Sequence, residues 1–144
     1  MQHFEETIVI NRPLEAVFAL AMDFANHAHW TPGLLEARLT SNGPVGVGST
    51  YIYNTEFMGR KMETSGEISA FNAPTLYQWK STSGPFPMSG GMRFEATEGG
   101  TRVTQFTDAE PGGFFKLAAP LLMSSMKKQD VESLQKMKAW MESR

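Results

Sequence analysis

Asp130 interrupts an apolar stripe. Met123, Met126, Leu134, Met137 and Met141 recur at spacings of three and four or their sums, and Asp130 fills the missing place. Such a stripe marks a helix face turned to a core. A carboxyl turned into a cavity has a raised pKa and can act as acid, base or hydrogen-bonding partner. The cost of burying an unpaired charge favours the other arrangement, in which the helix rotates slightly and Asp130 reaches water at its edge. Aromatic residues form the second constellation. Tyr51, Tyr53, Thr55 and Phe57 alternate onto one face of a strand, as do Tyr77 with Trp79 and Met92 with Phe94. If those faces are concave, they make an apolar hollow with a few hydroxyl and indole donors, the makeup of many ligand pockets. The same rings could instead pack directly against a helix. Tyr53 and Asp130 are weak candidates for moving protons, and no catalytic set can be assigned.

Other chemistries find little support. The chain has no cysteine, which removes disulfides, thiol nucleophiles and thiolate metal sites. His27 and His29 are two apart, so on a helix they diverge and cannot jointly hold a metal, and no carboxylate has zincin-like spacing to them. No metal site is expected. There is no Gly-x-Ser-x-Gly elbow, and Ser89-Gly90-Gly91 reads as a turn or bulge. Gly46-Val47-Gly48 does not open a helix, so it does not read as a phosphate cradle. No cofactor is expected. Glu56, Glu63 and Glu67 fall on neighbouring strands, where a solvated face is the ordinary place for glutamate.

The elements that must position these residues follow from periodicity and breakers. Phe4 to Ile10 alternates as a first strand. Pro13 starts a helix carrying Leu14, Val17, Phe18 and Leu20, and Asp23 can cap a second short helix from Phe24 to Trp30 that Pro32-Gly33 ends. Strands follow at Leu34–Thr40, Ser49–Phe57, Lys61–Phe71, Leu76–Ser81, about Met88–Thr97 and Thr101–Ala109, with Gly90-Gly91 a possible bulge. Gly99-Gly100 is the cleanest hairpin signal. After Pro111-Gly112-Gly113 comes a long helix, Phe114 to Glu142, which either kinks at Pro120 or starts there as a regular helix. A segment around Phe114 to Leu122 is a plausible lid.

The 144 residues suit one domain with its own core. A net charge of −2 with no long run of one sign argues against nucleic acid or an anionic membrane as partner. No apolar segment is long enough to span a membrane, so no stable insertion is expected. The acidic start, Glu5-Glu6 within the first six residues, does not resemble a signal peptide, and a cytoplasmic location is the default. Ten methionines and ten phenylalanines suit either an adaptable core or a plastic apolar pocket. Oligomeric state is left open.

Several phrases, in order, resemble START-like helix-grip proteins. These are Pro13-Leu14-Glu15-Ala16-Val17-Phe18 with Asp23 and Trp30-Thr31-Pro32-Gly33, then Val45-Gly46-Val47-Gly48-Ser49. Phe94-Glu95 with Gly99 to Thr104 follows, and then Asp130, Leu134, Lys138 and Glu142. The similarity is nearest to the polyketide cyclase/dehydrase and lipid-transport group, also called SRPBCC, and spans nearly the whole chain. It implies one such domain over residues 1–144. The implied fold is α+β, ordered β-α-α-β6-α, with a curved antiparallel seven-stranded sheet around a long C-terminal helix. It also implies a cavity between sheet and helix. By that likeness Trp30, Tyr53, Thr55, Trp79, Phe94, Met123, Met126 and Asp130 would line it, and the strand faces add Tyr51 and Met92. The expected ligand is a small hydrophobic molecule: aromatic, polyketide or lipid-like. The alternatives are a cyclase/dehydrase-type enzyme using the same cavity and a protein-interaction module resembling the Hsp90 co-chaperone activators of this fold.

Overall fold

In a computed structural model of the chain, the structure describes residues 2–57, 59–84, 86–112 and 114–144. The strands are β1 Gln2–Ile10, β2 Leu34–Leu39, β3 Thr50–Phe57, β4 Arg60–Asn72, β5 Leu76–Ser83, β6 Met88–Thr97 and β7 Gly100–Ala109. They form one seven-stranded sheet in the order β1-β7-β6-β5-β4-β3-β2. Every pairing is antiparallel, with β1 at one edge beside β7 and β2 at the other. Helix α1, Leu14–Met22, a 3-10 helix at Phe24–His29, α2 at Phe114–Leu117 and α3 at Ala119–Glu142 complete the chain. This is the helix-grip arrangement, a curled sheet holding one long helix.

One local detail differs from the sequence reading, and the choice left at Pro120 falls to a fresh helix start. The short second helix is 3-10, with Asp23 accepting from the Ala25 amide at its start. The last helix is not continuous from Phe114: the regular helix begins at Ala119, with Pro120 in its first turn, where a missing N–H costs nothing. Gly113 and the side chains of Phe114 and Phe115 lie outside the described residues.

The expected bulge at Gly90-Gly91 is absent. β6 runs in unbroken register with both neighbours there, and the irregularities fall in β2 near Leu34 and in β4 near Gly66 and Ile68. Gly90 and Gly91 serve close approach instead. A Cβ on Gly90 would run into the Phe106 carbonyl and the Trp79 ring, and one on Gly91 into the Tyr77 carbonyl.

The interior has a packed compartment and a hollow one. In the packed compartment α1 sets Val17 and Phe18 against Ile10, Phe94 and Val103, all of them buried. Phe18 meets Phe94 edge-on at 5.1 Å, a contact worth about 1 kcal/mol beyond its area. Leu134, Met137 and Met141 bring the C-terminal half of α3 into the same core. That half is also tied to the end of β1. Lys138 Nζ donates to the Val9 carbonyl at 2.7 Å and to Glu142 at 2.6 Å. The Asn11 amide donates to Glu142 at 2.8 Å, and Arg12 donates to the Met141 carbonyl at 2.9 Å. Among the described residues, no helix is long and apolar enough to cross a membrane.

Candidate functional site

The hollow compartment is a cavity of about 260 Å³ between the concave face of the sheet, the 3-10 helix and the middle of α3. A dry cavity of roughly 150 Å³ already holds benzene, so this one has room for about two fused rings.

Strand alternation supplies most of its wall. Tyr51, Tyr53 and Thr55 of β3, Met62 and Thr64 of β4, Tyr77, Trp79 and Ser81 of β5, and Met88 and Met92 of β6 all face it. Gly66 is the cross-strand partner of Tyr51, and a Cβ on it would strike the Tyr51 phenol and the Lys80 carbonyl. The ring of Tyr51 therefore lies over bare backbone. Phe86, Gln105, Gln129, Asp130 and Ser133 close other sides, with Thr31 and Pro32 beyond the 3-10 helix.

The 3-10 helix contributes Phe24 and His27, and Trp30 follows as its C-cap residue. At three residues per turn, positions three apart eclipse one another, so this spacing puts all three rings on one side. Phe24 stacks on His27 at 4.6 Å, and His27 lies 5.4 Å from Trp30.

His27 is buried and held at both ring nitrogens. Its Nε2 donates to the Ala21 carbonyl at 2.6 Å, which leaves Nδ1 as acceptor for the Tyr53 hydroxyl. Burial lowers its pKa to about 4, so the ring is neutral at physiological pH. The phenols move the other way. Burial raises Tyr53 well above its ordinary range, and also Tyr51 and Tyr77. They are neutral hydroxyls, and none is a phenolate base.

Asp130 borders the cavity and is half-buried, so it combines the two arrangements weighed from sequence: its carboxyl meets the cavity wall while part of the residue still reaches solvent. Burial pushes its carboxyl up to about 7, with the nearby Glu6 adding to the rise and the Thr107 hydroxyl opposing it. Its contacts are long: Gln105 Nε2 at 3.4 Å and Thr107 Oγ1 at 3.5 Å. A carboxyl that can take up a proton near neutral pH avoids most of the penalty that the sequence argument assigned to it. Taken together, Tyr53 offers a hydroxyl backed by a neutral imidazole, and Asp130 offers a group half-protonated near pH 7.

Of the residues expected from sequence, Trp30, Tyr51, Tyr53, Thr55, Trp79, Met92 and Asp130 border this cavity. Phe94, Met123 and Met126 do not. Phe94 shares the inward parity of Met92, but α1 covers that end of β6 and the ring is fully buried under Phe18. Met123 and Met126 precede the stretch of α3, Gln129 to Ser133, that meets the cavity. His27, Phe24 and Gln105 were not anticipated. The spacing of three that joins Phe24, His27 and Trp30 was the signal available for the first two.

Solved structures share this architecture. TTHA0849 from Thermus thermophilus superposes with a TM-score of 0.83 at 19% identity, covering 97% of each chain. The Zhui aromatase/cyclase from Streptomyces superposes with a TM-score of 0.80 at 14% identity, over 99% of this chain and 94% of that one. Major latex-like protein 151 from Panax ginseng gives 0.72 at 16% identity, over 96% of this chain and 95% of that one. At these identities the likeness is one of fold. A search of curated proteins finds no match to the sequence. Residues 1–142 match the model of the family described as polyketide cyclase / dehydrase and lipid transport, and the chain belongs to that family.

Proposed function

We propose that the protein binds a small hydrophobic ligand in the cavity between sheet and α3. The observation that carries this reading is the lining: seven aromatic side chains, Phe24, Trp30, Tyr51, Tyr53, Tyr77, Trp79 and Phe86, converge on one hollow with few polar groups. Its size favours a compact aromatic or cyclised polyketide-like molecule over a long acyl chain. Fold and family agree with this use of the cavity, and Trp30, Tyr51, Tyr53, Thr55, Trp79, Met92 and Asp130 are the proposed contacts. Native mass spectrometry of protein purified from its own host tests it: a co-purifying small aromatic or polyketide-like mass is expected. A chain that always flies empty, and that does not bind the neutral dye Nile red, overturns the reading.

A second reading, a cyclase/dehydrase-type enzyme, is supported by the His27–Tyr53 hydrogen bond and the readily protonated Asp130 on the same cavity. Pockets of this kind fold a reactive chain and move protons at positioned groups. In an enzyme relying on Asp130, Asp130→Asn cuts turnover by at least about tenfold. In a carrier it leaves affinity for neutral ligands unchanged. Unchanged turnover removes Asp130 from any catalytic role.

A further inference from the structure

Asp130 is the sole Asp, Glu, Lys or Arg among the described residues that line the cavity. Among the described residues, no lysine or arginine forms an ion pair with it. The lysine one turn earlier, Lys127, reaches for Glu6 at 3.8 Å instead. Its neighbours offer only the two long contacts from Gln105 and Thr107. A carboxylate beside a cation is held low, and the Asp130 carboxyl is pushed up to about 7 by burial, as suits one with no partner.

Other polar groups here are also short of donors. Gln105 gives its amide hydrogen to Asp130, and its buried Oε1 has no hydrogen-bond partner. Tyr53 gives its hydrogen to His27, whose other nitrogen is spent on Ala21, so the Tyr53 oxygen has only lone pairs left. The hydroxyls of Ser81 and Thr55 already donate to the Met88 and Met62 carbonyls, at 3.1 and 3.4 Å. A ligand that completes the side of the wall formed by Asp130, Gln105 and Tyr53 brings hydrogen-bond donors and positive charge, while the Tyr51 and Tyr77 hydroxyls and the Trp79 indole supply donors elsewhere on it. Ring faces of tyrosine and tryptophan attract the same charge.

Building on the ligand-binding reading above, we propose that the cavity selects an organic ammonium, an arylalkylamine whose charged nitrogen meets Asp130 and Gln105 Oε1 while its ring lies among the cavity aromatics. Carboxylic acids are disfavoured where Asp130 is ionised, because their anion would face it with no lysine or arginine among the described residues of the cavity wall to offset it. A neutral ligand of equal shape binds by ring burial alone and leaves the acceptors unmet.

A charge series on one ring system tests this. Tryptamine, 3-propylindole and indole-3-acetate share the indole and differ in the charge of the side chain. Calorimetric titration of the full chain at about pH 8, where Asp130 is largely ionised and the amine protonated, is expected to rank tryptamine at least about tenfold tighter than 3-propylindole, a gap of one hydrogen-bonded charge, with indole-3-acetate weakest. Asp130→Asn is expected to bring tryptamine to within about twofold of 3-propylindole, both measured on that variant. The proposal is overturned if wild-type protein binds 3-propylindole as tightly as tryptamine, or if Asp130→Asn keeps the amine preference. It is also overturned if Nile red binds while none of the indoles does. In those cases the ligand-binding reading stands. If neither Nile red nor any indole binds and the protein from its own host also flies empty, that reading falls as well.

Discussion

His27 accepts the Tyr53 hydroxyl at Nδ1 because its Nε2 is already committed to the Ala21 carbonyl. One neutral imidazole thus joins the C-terminal end of α1 to the cavity wall on β3. Its pKa of about 4 lies below the ordinary 6.5, so the unfolded chain binds the proton more readily. The stabilising effect of a neutral His27 is complete above pH 6.5 and is lost as pH falls through about 4, on the order of 3 kcal/mol in all.

Asp130 acts in the opposite sense over nearly the same window. Its folded pKa of about 7 lies above the ordinary 3.8, so folding favours the protonated form and stability falls as pH rises between them. The full effect is on the order of 4 kcal/mol. The two slopes oppose, so wild-type stability is expected to vary little with pH from these groups. Urea unfolding of His27→Gln between about pH 4 and 7 should expose the Asp130 slope, with stability falling as pH rises. Asp130→Asn should expose the His27 slope, with stability rising. Two variants sloping the same way would refute this pairing.

Gly66→Ala is expected to destabilise by about 1–3 kcal/mol, since its new methyl overlaps the Tyr51 phenol and the Lys80 carbonyl. The strand cannot yield without moving β5. Gly43→Ala makes a useful contrast. There a Cβ meets open space and only the positive φ opposes it. Chemical denaturation of both gives the comparison, and equal losses would mean that Tyr51 is free to move aside.

Met92→Ala is expected to weaken binding of a neutral apolar probe such as Nile red by about threefold or more, because it removes buried contact area from the cavity wall. Met126→Ala should leave that affinity within about twofold, its side chain lying off the cavity. Fluorescence titration distinguishes them. Equal weakening by both would place the ligand further along α3 than the cavity extends.

Amide exchange along α3 should be graded. Leu134 to Met141 sit in the core and beside the Lys138, Glu142 and Arg12 ties, and should be protected at least about tenfold more than Leu121 to Ser125. Flat protection across the helix would contradict both this grading and a lid near Leu117.

Element order was plainly legible in the sequence, because β-branched and aromatic alternation, Pro13, Pro32 and Gly99 act locally. Much of the cavity wall was legible too, since parity alone assigns Tyr51, Tyr53, Thr55, Trp79 and Met92 to one side. Parity does not say what covers that side. Met92 and Phe94 are equivalent on β6, and only the placement of α1 separates a cavity residue from a core one. Likewise the methionine stripe fixes a side of α3 and not how far along it the hollow reaches. His27 was weighed only as a metal ligand and not as a cavity residue, because its ring works through Ala21 and Tyr53, partners that no spacing to another histidine could reveal.

The shortest ties that fasten α3 lie toward its C-terminal end, around Lys138, while those at Lys127 and Asp130 are long. A beam clamped at one end turns a small push near its middle into a larger swing at its tip. At 1.5 Å per residue, Asp130 stands about 12 Å from Lys138 and Ala119 about 28 Å. A rigid tilt about that clamp that moves Asp130 by about 1 Å carries Ala119 more than twice as far. The tip adjoins Leu117 and Leu121, both strongly exposed. Filling the interior would then be announced at the surface, some distance from the molecule that caused it.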